Sequence, residues 1–255
     1  MSFRLPRRLE PDEGATLVDH LGELRARLVV CLLAVAAAFA LTYALHGTLV
    51  HWLDVPLQGR RPVTFGVAEP FTTSVTISLY AAALLALPVI LWQLWSYLAP
   101  AFGRNVQQTV ARLVAFASVL LAGGVAFAYV IVLPAAIHFL TNFDSALYDI
   151  QIRARDYYSF VMLVILAVGL VFELPVFVLA LVRLGVLTAA KLRRRRRIGI
   201  VVMTAIAVAL PGIDPVTTAF ETVPLLALFE LSIWLAVILE PRWHSDARTL
   251  APEGT

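Results

Sequence analysis

The sequence predicts an all-α membrane protein, a polytopic bundle of six transmembrane helices in which the last two are short. Hydrophobic residues make up 60% of the 255-residue chain, against the roughly 45–50% apolar usage of soluble domains. The apolar stretches are continuous rather than alternating, which excludes a β-barrel. Helices satisfy their own backbone hydrogen bonds in lipid, and the chain has no polar segment long enough for a separate soluble domain. We therefore expect residues 1–255 to form a single membrane domain.

Six apolar stretches are predicted to cross or enter the membrane. The fifth stretch is about 21 Å long at helical rise, shorter than the ~30 Å hydrocarbon core of a bilayer. We therefore expect the turn that follows it, Pro211 to Pro215, to lie within the depth of the membrane. The stretches cover residues 28–45, 71–98, 110–133, 157–182, 198–211 and 220–239 approximately.

The polar segments between the stretches complete the expected organisation. Residues 1–15 form a flexible leader, residues 16–240 form the bundle, and residues 241–255 form a tail. The segments 46–70 and 134–156 are predicted to be the two large outer loops.

A short amphipathic segment precedes the first stretch. Residues 16–19 fit a capping box, and leucines recur on one helical face over residues 17–28. On the opposite face Glu23 stands four residues before Arg27, the favourable order for an ion pair within a helix. We predict that this segment lies along the membrane surface.

The placement of arginine predicts the orientation. With a cytoplasmic N-terminus most arginines lie inside, including the run Arg193 to Arg197, which topology and attraction to anionic lipids would explain. Both termini are then cytoplasmic. The arginines left outside are Arg60, Arg61, Arg153 and Arg155.

One carboxylate interrupts the fourth stretch. Glu173 lies near its middle, two residues before Pro175. A charged side chain at the centre of a spanning helix costs roughly 2.5–3.5 kcal/mol on insertion scales, so Glu173 should face protein or water. Pro175 lacks an N–H and weakens the helix at the same place. We interpret Glu173 as functional; the alternative is a glutamate that is hydrogen-bonded to a neighbouring helix for packing alone.

The composition and motifs argue against an enzyme. Cys31 is the only cysteine, and Lys191, the only lysine, has no glycine-rich lead-in, so there is no P-loop. The five histidines lack metal-ligand spacing, and no catalytic serine or metalloprotease motif occurs. We predict no catalytic residue, no metal site, no cofactor and no nucleic-acid partner.

Short motifs occur along the whole chain in an order that one protein family shares. They are His20-Leu21-Gly22-Glu23-Leu24-Arg25-Ala26-Arg27, Pro56-Leu57, Glu69-Pro70-Phe71, Tyr97-Leu98-Ala99-Pro100, Leu140-Thr141-Asn142-Phe143, Phe172-Glu173-Leu174-Pro175 and Leu228-Phe229-Glu230. Together they resemble the TatC family, the multi-spanning component of the twin-arginine protein translocase. The resemblance covers approximately residues 18–241.

The resemblance implies a function and a set of partners. Members of the family are receptors for signal peptides with paired arginines, and folded proteins are exported with the proton-motive force. The implied partners are single-span subunits of the TatA and TatB type, within a homo- or hetero-oligomer in the lipid bilayer. The implied location is the cytoplasmic (inner) membrane of a prokaryote.

The resemblance also implies the residues that bind the signal peptide. A guanidinium pair needs carboxylates in charge-assisted, bidentate geometry, and Glu23 is such a carboxylate. The alternative is that Glu23 is a solvated helix residue that only pairs with Arg27. Arg25 is expected to hold Glu23 or a partner, and Asp19 is a further acid nearby. Tyr97 occupies the position of an aromatic residue linked to signal recognition, although it also fits an aromatic belt at the membrane interface.

Three positions depart from the family pattern. Val106-Gln107-Gln108 stand where a glutamate and basic residues are usual. The turn Pro211-Gly212-Ile213-Asp214 keeps the aspartate of the family's Thr-Pro-Pro-Asp, and Thr218 replaces a common glutamine. Either Glu23 and Asp19 recognise the signal alone, or the receptor site is altered.

Glu173, Pro175 and Asp214 lead to competing hypotheses. In the first, the six helices form a cup with a polar, locally thinned groove, in which these residues contact a partner helix. In the second, the protein is a proton-coupled small-solute permease with Glu173 and Asp214 as a relay, although no internal repeat is evident. In the third, it is a purely structural scaffold.

Overall fold

The computed structural model describes residues 17–98, 106–147, 150–212 and 214–248, and within them the side chains of 21–98, 110–147, 150–212 and 214–240. The predicted leader and part of the predicted tail lie outside these residues. Within them the chain forms α-helices, with one isolated bridge between extended residues, Val63 and Arg153. The helices are α1 Leu17–Ala44, α2 His46–Asp54, α3 Glu69–Tyr97, α4 Val106–Phe127, α5 Leu133–Asn142, α6 Ala154–Phe172, α7 Leu174–Arg183, α8 Ala189–Arg194, α9 Arg196–Ala209 and α10 Pro215–Arg248.

In the part of the chain that the structure describes, five helical segments are long and apolar enough to cross a membrane, which confirms the all-α membrane bundle. The fifth predicted stretch, 198–211, corresponds in part to α9, whose 14 residues fall short of that length. The five segments are Leu21–Ala44, Glu69–Tyr97, Val110–Asn142, Ala154–Arg183 and Pro215–Glu240.

The spanning helices pack closely on one another. α1 packs on α3, α3 and α4 pack on α6, and α10 packs on α7 and α9. We call the end where α1 begins and α3 finishes the inner end. We call the opposite end, which holds α2 and the segment 143–153, the outer end. The centre of the bundle is filled by fully buried aliphatic side chains such as Ile77, Val161 and Val164.

The predicted outer loops contain more helix than expected. α2 occupies the first part of the predicted loop 46–70, and α5 carries the third span on to Asn142. The segment Ala128–Val132 is π-helical, and Pro134 follows it in the first turn of α5. The third span was predicted to end just before Pro134. The helix instead continues, because the wider π turn changes the hydrogen-bond register just ahead of this proline.

Two further boundaries differ from the predictions. α1 is one uninterrupted helix, so the amphipathic segment is not a separate element but continues directly into the first spanning helix. α10 begins at Pro215 and continues to Arg248, so the first part of the predicted tail is helical.

The part of the α9 and α10 hairpin between its ion pair and its turn is short. The Arg196 guanidinium binds the Glu230 carboxylate with its Nε 2.5 Å from Oε1, which brings the start of α9 level with the middle of α10. The 16 residues from Pro215 to Glu230 span about 24 Å at helical rise. If this ion pair lies at the membrane surface, the turn of the hairpin ends short of the opposite surface, as the sequence predicts.

The two outer segments are joined by a buried carboxylate. Glu69, at the start of α3, accepts hydrogen bonds from Arg153 Nε and from the backbone N–H of Phe65, both at 3.0 Å. The backbone bonds Val63 N–H to Ile152 carbonyl (2.8 Å) and Ala154 N–H to Val63 carbonyl (2.9 Å) run beside it. The hydrogen bond to Glu69 and the charge of that carboxylate raise the pKa of the Arg153 guanidinium. We call this arrangement the outer clasp.

Candidate functional site

Arg27 connects Glu23, near the start of α1, to the end of α3 at the inner end. Arg27 donates from Nε and Nη2 to Glu23 Oε1 at 2.9 and 2.6 Å. It also donates to Gln93 Oε1 at 3.1 Å and to the Ser96 carbonyl at 3.2 Å. The predicted ion pair of Glu23 with Arg27 is confirmed. Because the guanidinium binds acceptors on two helices, it holds the carboxylate in one orientation.

Glu23 still has capacity to bind a cation. Its side chain is 27% exposed. Arg27 binds this carboxylate through Oε1 alone, and Oε2 accepts no hydrogen bond from the described residues. A carboxylate with one oxygen anchored and the other facing solvent can accept a charge-assisted hydrogen bond from an incoming guanidinium.

The other residues predicted to bind signal peptides lie around this end. Tyr97 is half-buried and follows Ser96, so it lies at the same end as Glu23. Arg25 is exposed on α1, and it is Arg27 rather than Arg25 that holds Glu23. Asp19 is in the first turns of α1, and its side chain lies outside the described residues.

The substituted loop also reaches the inner end. Val106-Gln107-Gln108 form the first turn of α4, a short connection after the end of α3, and their side chains lie outside the described residues. The backbone therefore places these three uncharged residues at the end that carries Glu23, as the resemblance implies.

Glu173 lies at the junction of α6 and α7 and is 1% exposed. Neither carboxylate oxygen has a hydrogen-bond partner among the described residues, so the alternative of a glutamate bonded to a neighbouring helix does not fit the structure. Pro175 is in the first turn of α7, where a missing N–H removes no hydrogen bond. Pro175 thus marks the start of a helix rather than a defect inside one.

Asp214 is the N-cap of α10. Its Oδ1 accepts the backbone N–H of Thr217 at 2.8 Å, and its Oδ2 accepts the Thr217 hydroxyl. Both oxygens are therefore occupied by the start of the helix, a role that explains an aspartate here without proton transfer. No hydrogen bond joins Glu173 to Asp214, so the described residues do not form the relay of the permease hypothesis.

Glu221 is a buried acid that was not predicted from the sequence. It is 2% exposed, and both carboxylate oxygens lack a hydrogen-bond partner among the described residues. A Cβ at Gly212 would lie 2.9 Å from Thr217 Cγ2 and 3.6 Å from Glu221 Oε2, so the turn before α10 packs directly on these side chains. The sequence could have predicted it, because Glu221 lies inside an apolar stretch, as Glu173 does.

A cleft of about 690 Å³ lies along the hairpin of α9 and α10. Its hydroxyl groups bond within their own helices, since Thr204 donates to the Ile200 carbonyl at 2.9 Å and Thr222 to the Thr218 carbonyl at 2.7 Å. With their hydroxyls bonded inside the helices, these threonines contribute mainly methyl groups to the surface of the cleft. It is lined by Thr204, Val208, Gly212, Asp214, Pro215, Thr218, Ala219, Thr222 and Val223.

Comparison with known sequences gives one family over most of the chain. The family model of the Sec-independent protein translocase protein (TatC) matches residues 19–224. A TatC protein of Carboxydothermus hydrogenoformans is 31% identical over 93% of this chain and 99% of its own length. A TatC protein of Escherichia coli K12 is 31% identical over 88% and 89%, and the chloroplastic TATC of Arabidopsis thaliana is 33% identical over 91% and 70%.

Comparison with solved structures agrees with the sequence result. A crystal structure of the twin arginine translocase receptor TatC in DDM superposes with a TM-score of 0.76 at 30% identity. The match covers 85% of this chain and 99% of that one. A second crystal structure of the receptor gives a TM-score of 0.72.

Proposed function

Since this chain belongs to the TatC family of Sec-independent protein translocase proteins, we propose that it recognises signal peptides with paired arginines and helps to export folded proteins with the proton-motive force. It is a multi-pass membrane protein. The observation that carries the proposal is the Glu23 carboxylate, which Arg27 anchors through one oxygen at the inner end.

The geometry at Glu23 suits a guanidinium. Arg27 fixes the direction of the carboxylate before the peptide arrives, so little side-chain entropy is lost on binding. An arginine of the peptide donates a charge-assisted hydrogen bond to Oε2, and its planar fork permits a second bond that a lysine ammonium cannot direct in the same way. Because Arg27 neutralises part of the charge, a second acid is required, and Asp19 is one turn away on α1.

The proposed orientation places the inner end in the cytoplasm, with both termini on that side. Lys191 and Arg193 to Arg197 lie in α8 and at the start of α9. The ion pair of Arg196 with Glu230 ties this run to α10. A cytoplasmic inner end follows the positive-inside rule and presents Glu23 to signal peptides before transport.

The proposed partners are single-span subunits of the TatA and TatB type, in a homo- or hetero-oligomer. The cleft along α9 and α10 supports this, because its exposed rim residues Val208 and Val223 (66% and 69% exposed) offer apolar surface to a helix. In membranes, helices associate through close packing of small side chains such as the threonines that line the cleft. Glu173, buried without a partner, is the intramembrane group that such assembly would use.

The test is binding of a signal peptide with two arginines to the purified chain, compared with the same peptide carrying two lysines. We expect an arginine preference of about tenfold or more, in line with a hydrogen bond between charged groups, and we expect Glu23→Gln to remove it. Glu230→Gln is a matched control, because Glu230 is 28% exposed and also pairs with an arginine. Equal binding of both peptides, or a preference that persists in Glu23→Gln, would exclude Glu23 as the receptor group.

A further inference from the structure

The outer end contains a second, smaller cavity that the proposed function does not use. It has a volume of about 180 Å³ and lies between the turn that follows α2 and the last two turns of α5. Water occupies ~30 Å³ per molecule in the liquid, so the cavity has room for a small polar group and not for a drug-sized ligand. It is lined by Pro56, Leu57, Gln58, Arg60, Ile137, His138, Thr141 and Asn142.

The lining combines an apolar floor with walls that donate hydrogen bonds. Leu57 and Ile137 are buried at 2% and 7% exposure and form the floor. The walls carry Arg60, His138 and Gln58, and no carboxylate belongs to the lining. The cavity therefore favours an anion.

Arg60 is available to bind a ligand. The described residues include no carboxylate within ion-pair distance of its guanidinium, whereas Arg153 at the same end is bound by Glu69. Positive charge on the outer side opposes the positive-inside rule. Arg60 is exposed beside the cavity and has no acidic partner among the described residues, so its guanidinium is free to bind an anion there.

The backbone directs these groups towards the cavity. Gln58 has a left-handed conformation, with φ at 52°, which is uncommon for a residue other than glycine. The bonds Gln58 N–H to Val55 carbonyl and Arg60 N–H to Leu57 carbonyl close the turn at 3.3 and 3.1 Å. Within this closed turn, Gln58 and Arg60 line the cavity beside the end of α5.

The surroundings place the cavity at the depth of lipid headgroups. Trp52, on α2, is 61% exposed, and Phe143, directly after α5, is 59% exposed. Exposed aromatic residues at the end of a membrane bundle are typical of the interface between hydrocarbon and water. An anionic group is abundant at that depth, because each glycerophospholipid carries a phosphate there.

We propose that this cavity binds the phosphate group of a glycerophospholipid at the outer end of the bundle. Arg60 binds two phosphate oxygens through its guanidinium fork. The His138 imidazole and the Gln58 amide donate further hydrogen bonds, and the glycerol carbons lie on Leu57 and Ile137. Free phosphate has the same recognition chemistry, so the experiment must separate the two sources.

The test titrates the full chain, purified in detergent and depleted of lipid, with dihexanoyl phosphatidylglycerol and separately with inorganic phosphate, by calorimetry at constant ionic strength. We expect Arg60→Gln to weaken lipid binding by about tenfold or more, Arg60→Lys to weaken it less, and His138→Gln to weaken it severalfold. Arg61→Gln is the matched control: it removes the same charge from the neighbouring exposed residue, which does not line the cavity.

The possible outcomes distinguish a lipid site, a free-phosphate site and no site. Lipid binding that depends on Arg60 and not on Arg61, with weak or no binding of inorganic phosphate, supports a lipid site. Equal, Arg60-dependent binding of inorganic phosphate makes free phosphate the ligand and overturns the lipid assignment. The site itself is overturned if neither probe binds in an Arg60-dependent way, or if Arg61→Gln has the same effect. Unchanged thermal unfolding of Arg60→Lys and His138→Gln shows that any loss of binding is not a loss of fold.

Discussion

At the scale of the residue, carboxylates at different depths of the bundle have different surroundings. Glu23 shares the donors of Arg27 at the inner end, and Asp214 is satisfied by the first turn of α10. Glu173 and Glu221 are buried with no partner among the described residues. A buried polar group without hydrogen bonds lowers the stability of the fold, so these two residues are candidates for a function kept at the expense of stability.

Glu221→Leu tests whether an unpartnered buried carboxyl is kept for function at the expense of stability. Because leucine removes an unpartnered buried carboxyl, we expect the free energy of unfolding in detergent to rise by about 1–3 kcal/mol while export activity falls. Glu230→Leu should give no such gain, since Glu230 is ion-paired and partly exposed. A less stable Glu221→Leu protein would contradict the idea that the unpartnered carboxyl lowers the stability of the bundle.

Asp214 is predicted to act through its capping bonds rather than its charge. Asp214→Ala should lower the free energy of unfolding by about 0.5–2 kcal/mol, whereas Asp214→Asn, which keeps an acceptor oxygen, should lose much less. Hydrogen exchange at the Thr217 amide reports the cap directly and should quicken only in the alanine variant. If asparagine impaired export as much as alanine while exchange stayed slow, a role for the negative charge would follow instead.

At the scale of the element, helices continue or break according to local backbone chemistry. The π-helical segment lets the third span continue past Pro134, while Glu173 separates α6 from α7 ahead of Pro175. The hairpin of α9 and α10 depends on close approach: a Cβ at Gly199 would lie 2.1 Å from Phe229 Cζ. The short hairpin is therefore held by contact between a glycine and an aromatic ring as well as by the ion pair of Arg196.

Gly199→Ala tests the packing of this hairpin. Because Phe229 is buried and its ring must move, we expect a loss of about 1–3 kcal/mol in the free energy of unfolding, and Phe229→Leu should restore part of it in the double variant. Gly123→Ala is the control, since nothing lies within 4 Å of a Cβ there and alanine favours a helix over glycine. Equal effects at the two glycines would contradict the close-contact explanation.

At the scale of the whole molecule, the inner end carries the proposed receptor group and the outer end joins two distant segments through the clasp of Glu69 and Arg153. Between them lies the unpartnered Glu173. This separation suggests that recognition and partner assembly use different parts of one bundle.

Glu173→Ala tests whether the intramembrane acid serves assembly. We expect folding to be largely intact, with a weaker complex with single-span partners and reduced export; Glu173→Gln, which can still form hydrogen bonds, should be less affected. Purification of the complex and measurement of export check both. Normal export with alanine at 173 would remove the proposal, and unchanged assembly with failed export would assign Glu173 to a later step.

Recognition at the inner end should be independent of the outer clasp. Arg153→Gln is expected to lower the thermal unfolding midpoint, because it leaves the buried Glu69 without its ion pair, while arginine-pair peptides still bind at low temperature. Arg155→Gln is the control for the charge change, since only its backbone N–H bonds Glu69. Loss of peptide binding at low temperature would show that the two ends are coupled.

The sequence by itself determined the properties that depend on composition and local spacing. Continuous apolar stretches predict a helical membrane bundle, four-residue spacing predicts the ion pair of Glu23 with Arg27, and the position of Glu173 predicts its depth. Motif order led to the family. These predictions need no knowledge of which distant segments meet, because hydrophobic transfer and helical periodicity act within one segment.

The tertiary structure alone decided the properties that depend on neighbours. It showed that Arg27 also binds the end of α3, that the Glu221 carboxyl is buried without a hydrogen-bond partner among the described residues, and that Arg60 lies beside a cavity formed with α5. The physical reason is that a hydrogen-bond partner, a missing partner or a cavity wall is supplied by residues far away in the chain. Their distances are set by how the helices pack, which local sequence patterns do not encode.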